Sequence, residues 1–234
     1  SKSNIKAQSN DNSSKSSIVK LFKFALIVIY IFLIFFLSII YKKYNPDNKE
    51  VRRKIIHIGI GPLIPFAKYL EITQTSALYF TGFISSLIFI NYRYKLFPTI
   101  EDVERKSFGT LFYCLSLFIL IYLFWDKDPI SLIAGFFIMT FGDGFAGLIG
   151  KNFDSKSWLI LKQKKSIVGT LTMFLTSVIV VICLGYFYAY SFNMNYFTIA
   201  LIATILEQFS IFGIDNFIVP ISAAICFNFF ITGL

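Results

Sequence analysis

Long apolar runs separated by short polar connections make up most of this chain. Phe24–Tyr41, Ile72–Tyr92 and Ser107–Trp125 contain no charged residue, and each is near the roughly 20 residues a helix needs to cross the hydrocarbon core of a bilayer. Ser166–Leu206 is also free of charge and long enough for two helices, with the polar stretch Ser191–Asn195 dividing it. The pattern predicts an all-α fold, a polytopic transmembrane helical bundle of about eight spans (seven to nine). The spans fall at about 21–41, 55–70, 72–92, 108–125, 129–150, 166–190, 196–211 and 217–234. In the second, Pro62 and Pro65 remove backbone donors in mid-span, so a kinked or re-entrant helix is expected there. Residues 1–17 are polar and low in complexity, and disorder is expected for them. Residues 18–234 are expected to form one membrane domain.

Charge sharpens this picture. Charged residues make up 15% of the chain and hydrophobic residues 56%, whereas a soluble domain carries about 25% charge. The net charge is +9, concentrated in the connections 42–54, 93–106 and 151–165. The turns near 71, 126–128 and 191–195 hold few positive charges. The positive-inside rule puts the three basic loops on the cytosolic face or its equivalent, and an eight-span count brings the 207–216 turn to the same side. Anionic headgroups or phosphate-bearing substrates account for the basic residues better than nucleic acid does. Cys114, Cys183 and Cys226 lie in apolar spans without metal-ligand spacing and read as small core residues.

Ionisable groups inside apolar helices are costly, so the few present are informative. Asp143, Glu207 and Asp215 sit in or at the edge of such helices and come to one face under this topology. They are the candidate metal ligands, with Mg²⁺ the expected ion. Asp143 lies in Phe141–Gly150, whose Gly142, Gly144 and Gly147 match G-x-G-x-x-G. A dinucleotide fold would require a preceding strand, and here the motif ends an apolar run of membrane length. The glycines then either pack helices closely or let a phosphate or lipid approach while Asp143 binds metal or accepts a proton. Lys164, Lys165, Ser166, Gly169 and Thr170 suit a phosphate at a helix start, although a basic flank that sets topology explains the lysine pair alone. Asn216 joins Asp215 in a polar turn as a candidate nucleotide contact. His57 shares a helical face with Arg53 and Gly61 and is either a catalytic group or a packing residue. Glu104–Thr110 forms a lesser polar cluster, readable as an ion-paired helix start.

Four segments taken together resemble the phytol kinase and dolichol kinase family of polyprenol-type membrane lipid kinases. They are Arg52–Gly61, Glu104–Tyr113, the pair Phe141–Gly150 and Lys164–Thr170, and Leu206–Pro220. Thr170 stands where the family has Ser and keeps the hydroxyl. The resemblance implies transfer of a γ-phosphoryl group, commonly from CTP and with Mg²⁺, to a long-chain isoprenoid alcohol such as phytol. It implies catalytic roles for Asp143, Lys165 and His57. Gly142, Gly144, Gly147, Lys164, Lys165, Ser166, Gly169, Thr170 and Asn216 would bind nucleotide, and Asp143, Glu207 and Asp215 would bind metal. CDP-diacylglycerol synthases share the glycine–Asp and Lys–Gly arrangement, which makes a cytidylyltransferase the enzymatic alternative. A transporter using Asp143 and Glu207 as ion sites is the non-enzymatic one.

Overall fold

The computed structural model describes residues 2–94, 108–161 and 163–233, with side chains from residue 18 onward. Helix dominates the described residues. In chain order the helices are α1 (Lys2–Tyr44), α2 (Lys49–Ile60), α3 (Leu63–Tyr69), α4 (Gln74–Tyr94), α5 (Gly109–Phe124), α6 (Pro129–Phe137), α7 (Gly144–Asn152), α8 (Ile167–Phe187), α9 (Asn195–Glu207) and α10 (Asp215–Phe227). A small antiparallel hairpin, β1 (Ser157–Ile160) and β2 (Gln163–Ser166), interrupts them and pairs Trp158 with Lys165. It was not expected from the apolar pattern. The helix α1 runs back through residues 2–17 to Lys2. That segment has no Gly or Pro to stop a helix.

Among the described residues, four stretches are long and apolar enough to cross a membrane: Ile18–Tyr44, Pro129–Asn152, Ile167–Phe187 and Asp215–Thr232. The apolar helices α5 and α9 are shorter. At 16 residues, α5 reaches only ~24 Å at 1.5 Å per residue. The break expected near the prolines falls at Gly61–Pro62, between α2 and α3. Pro65 then sits in the first turn of α3, where no intrahelical donor is required.

The core lies around α6, whose Leu132, Ala134 and Phe136 are fully buried. Gly135 lets α10 approach: a Cβ there would strike the Pro220 carbonyl oxygen and Ala224. At the start of α6 the buried Asp128 caps the helix, accepting from the Ser131 amide at 3.2 Å. Its other oxygen accepts from the Ser131 hydroxyl, from Asn228 Nδ2 at 2.8 Å and from Thr232 Oγ1 at 2.7 Å. One carboxylate thus ties the beginning of α6 to the C-terminal turn.

The N-terminal α1 leans on α2 and α3. Tyr30 donates to the Gly59 carbonyl at 2.7 Å, and Ile34 fills the space beside Gly59, where a Cβ would come within 2.8 Å of it. Lys23 pairs with Glu71 at 2.9 Å. On the opposite face of α1, Ile29, Phe32 and Phe36 are exposed, as expected of a helix bathed in lipid.

Candidate functional site

Residues 129–152 form one continuous rod with a π-helical turn at Ile138–Asp143. The wider turn changes the helical register of α7 relative to α6, and Asp143 at its end faces α2 and the ends of α9 and α10. Glu207 closes α9 and Asp215 opens α10. Ligand oxygens of these three carboxylates lie within 4.8 Å of one another. Such crowding of like charges is unfavourable unless cations compensate.

Two lysines supply part of that compensation. Lys54 of α2 is buried and donates to Asp143 Oδ2 at 2.6 Å and to the Asp143 carbonyl at 2.9 Å. Lys165 of β2 pairs with the Glu207 carboxylate and donates to its carbonyl at 2.7 Å. Gln208 donates to Glu207 Oε2 at 2.9 Å and to Thr170 Oγ1 at 3.3 Å. Three carboxylates thus face two ammonium groups in the inner cluster. Buried acceptor oxygens of Asp215 (Oδ1) and Asn216 (Oδ1) have no hydrogen-bond partner among the described residues. Clustered carboxylates and spare buried oxygens are the donor set a hard divalent cation takes.

His57 is one turn along α2 from Lys54, with Nε2 3.4 Å from Asp143 Oδ2 and 3.2 Å from the Met139 carbonyl. Both neighbours of Nε2 are acceptors, so a proton on that nitrogen is the arrangement that satisfies the geometry. With that proton His57 donates to the Met139 carbonyl, and its ring edge lies beside Asp143. Tyr113 packs on the imidazole with ring centroids 4.7 Å apart. Its hydroxyl reaches Thr140 Oγ1 at 3.0 Å and the His57 carbonyl at 3.3 Å. Outside the cluster, Glu50 is half-buried, which alone would raise its carboxyl, but Arg53, Lys151 and Lys54 hold it below the ordinary range.

The structure brings together Asp143, Glu207, Asp215, Asn216, Lys165, His57 and Thr170. Gly142 faces Met173 and Gly144 faces Ile58, where a Cβ would come within 2.7 Å of Met173 Sδ and within the van der Waals shell of Ile58. At both positions the missing side chain lets neighbouring helices pack closely. Gly147 borders the cavity, and its missing side chain makes room for Lys54. Lys164 and Lys165 were expected to act as a pair at a helix start. They lie on a strand, so successive side chains alternate in direction: Lys165 points at Glu207 and Lys164 is exposed. Ser166 is the N-cap of α8, its Oγ accepting from the Gly169 amide at 3.1 Å. Gly150 and Gly169 approach closely there, a Cβ on Gly150 coming within 3.0 Å of Gly169 Cα. Lys54 and Tyr113 were missed. The available signal for Lys54 was its i,i+3 spacing from His57, which puts the two on one face; the face expected from the sequence, through Arg53, instead carries the Arg53–Glu50 pair at 2.7 Å. The Glu104–Ser107 part of the lesser cluster lies outside the described residues.

The cluster opens into a cavity of about 1740 Å³ that continues between α1, α4 and α5 along apolar side chains. The whole defines a helical membrane protein with a buried centre of acids and lysines beside a long apolar cavity. The chain is 35% identical over 183 residues to phytol kinase of Synechocystis sp., covering 75% of this chain and 77% of that one. It is 29% identical over 203 residues to phytol kinase 1, chloroplastic, of Arabidopsis thaliana, covering 77% and 66%. It is 32% identical over 132 residues to probable phytol kinase 2, chloroplastic, of Glycine max, covering 55% and 44%. The chain thus spans less than two thirds of the length of the Glycine max relative. The chain belongs to the phytol kinase family. No protein-family profile matches it, and no solved structure does.

Proposed function

We propose that this chain is a phytol kinase that transfers the γ-phosphoryl group of a nucleoside triphosphate, CTP by preference, to phytol. The observation that carries the reading is the meeting of Asp143, Glu207 and Asp215 with Lys54 and Lys165 at the mouth of an apolar cavity. The alcohol oxygen bonds to the γ-phosphorus, the bond from that phosphorus to the β–γ bridging oxygen breaks, and the nucleoside diphosphate leaves. Asp143, held by Lys54, orients the hydroxyl, and the hydroxyl proton passes to an oxygen of the phosphoryl group being transferred. Lys42, Lys49, Arg52, Arg53, Lys151 and Lys164 border the cavity and attract the triphosphate through their summed field. Asp143, Glu207 and Asp215 would hold Mg²⁺, with Asn216 beside them; the ion would neutralise charge on the phosphate oxygens.

In this reading α2 with α3, α4 and the shorter apolar helices α5 and α9 also cross the membrane, for a total of eight spans, and the site end faces the cytosol or its equivalent. The basic connections 42–54 and 151–165 support it, since Lys151 meets Glu50 at 3.3 Å across them. The test is purified chain with γ-labelled nucleotides and a panel of lipid alcohols. Label is expected in phytyl phosphate, dependent on Mg²⁺ and greatest with CTP. No transfer to any alcohol, or pyrophosphate release with phosphatidate as acceptor, would overturn the reading in favour of the alternatives.

A further inference from the structure

The cavity has a polar end and an apolar end, and the apolar end has a floor. Phe24, Ile27, Ile31 and Phe35 of α1 form one wall, a stripe at helical spacing that is separate from the lipid-facing stripe. Facing residues include Phe80 and Ile84 of α4. Between these walls the trench runs from Tyr113, beside His57, along α5 through Leu117 and Ile121 to Trp125. At 1.5 Å per residue, the path from Tyr113 to Trp125 is ~18 Å, roughly the length of an extended diterpenoid chain. Trp125 is 1% exposed and fixed at both ends. Its Nε1 donates to the Ile72 carbonyl at 3.1 Å, and its own carbonyl accepts from Lys68 Nζ at 2.9 Å.

We infer that this trench holds the isoprenoid tail of the acceptor and that Trp125 sets the longest tail it admits. The inference rests on the lipid-alcohol kinase reading for the identity of the head group. A ligand with a hydroxyl at Asp143 and an apolar tail toward Trp125 matches the cavity at both ends. The tail therefore lies along α5, not between the glycine-rich faces of α7 and α8, whose glycines are filled by neighbouring side chains and backbone.

The experiment uses the full chain in phospholipid nanodiscs and a diterpenoid alcohol carrying a diazirine on its terminal isoprene unit. Photolysis is expected to label Ile121, Trp125 or the facing Ile64 and Ala67, with competition by unlabelled diterpenoid alcohol. Label confined to α8 or α9 would overturn the trench. A second arm narrows it with Ala77→Phe, at a buried position lining the cavity. That variant is expected to lower kcat/KM for the diterpenoid alcohol about tenfold or more relative to a monoterpenoid alcohol, the scale of hydrophobic-pocket discrimination, with nucleotide KM unchanged. An unaltered chain-length profile together with unaltered labelling of Trp125 would overturn its role as the limit. Labelling needs no turnover, so label at Trp125 without phosphorylation upholds the trench and counts against the kinase reading instead.

Discussion

Asp143→Asn keeps the size of the side chain and removes the charge that holds Lys54, so it separates chemistry from packing. Phosphorylation of phytol is expected to fall by roughly a hundredfold or more, as when a key electrostatic or acid–base group is lost. The Lys54 bond to the Asp143 carbonyl survives the substitution, which favours normal accumulation. Turnover and abundance measured in one preparation decide the matter, and near-normal turnover would remove Asp143 from the mechanism. Gly147→Ala tests the same pair from the other side. Its Cβ would come within 2.6 Å of Lys54 Cε and 3.0 Å of Nζ, displacing the ammonium group from Asp143. Turnover should drop about tenfold, a weakened electrostatic contact costing less than a deleted one, while the melting temperature stays close to that of the parent.

At the scale of elements, the apolar helices were legible because burial in lipid demands continuous runs, and Gly61–Pro62 announced its own break. The hairpin was not legible. Ser157–Ile160 and Gln163–Ser166 are too short to show alternation, and their pairing is a tertiary matter. The π turn before Asp143 leaves no local mark either, since it is set by how Ile138–Asp143 packs on α8. Asp143, Glu207 and Asp215 were recognisable as costly charges, whereas Lys54 was hidden in a basic flank that topology alone explains. The Asp128 clamp was hidden for a similar reason, because its partners Asn228 and Thr232 lie at the far end of the chain. Asp128→Ala should lower stability by about 1–3 kcal/mol, by stranding those donors and removing the cap. Burial alone would raise the Asp128 carboxyl, but bonds from Asn228, Ser131 and Thr232 hold it below the ordinary value. Its stabilisation is therefore fully present above the unfolded-state value of about 4 and lost as pH falls through the lower folded value. Thermal melts at graded acidity should show a smaller loss toward low pH in Asp128→Ala than in the parent.

For the whole molecule, the decisive arrangement is that α2, the hairpin, the end of α9 and the start of α10 meet at one end while Asp128 and Lys127 lie toward the other end of the 129–152 rod. With the native cysteines replaced, Asp47→Cys and Lys156→Cys should react with an impermeant thiol reagent from the same side of sealed vesicles. Lys127→Cys should react from the other side. Labelling of Asp47→Cys and Lys156→Cys from opposite sides would dismantle the shared site.

The attachment of α1 has a mechanical consequence. Its principal hold on the protein is through α2 and α3, and the Tyr30–Gly59 bond reaches α2 two residues beyond His57. A bilayer thinner than the apolar length of α1 obliges it to tilt, and a thicker one pulls it upright. Either movement levers α2, and with it Lys54 and His57, relative to Asp143. Specific activity across phosphatidylcholines of graded acyl length should therefore pass through a maximum. Tyr30→Phe, which cuts the linkage while keeping the ring, should flatten that curve.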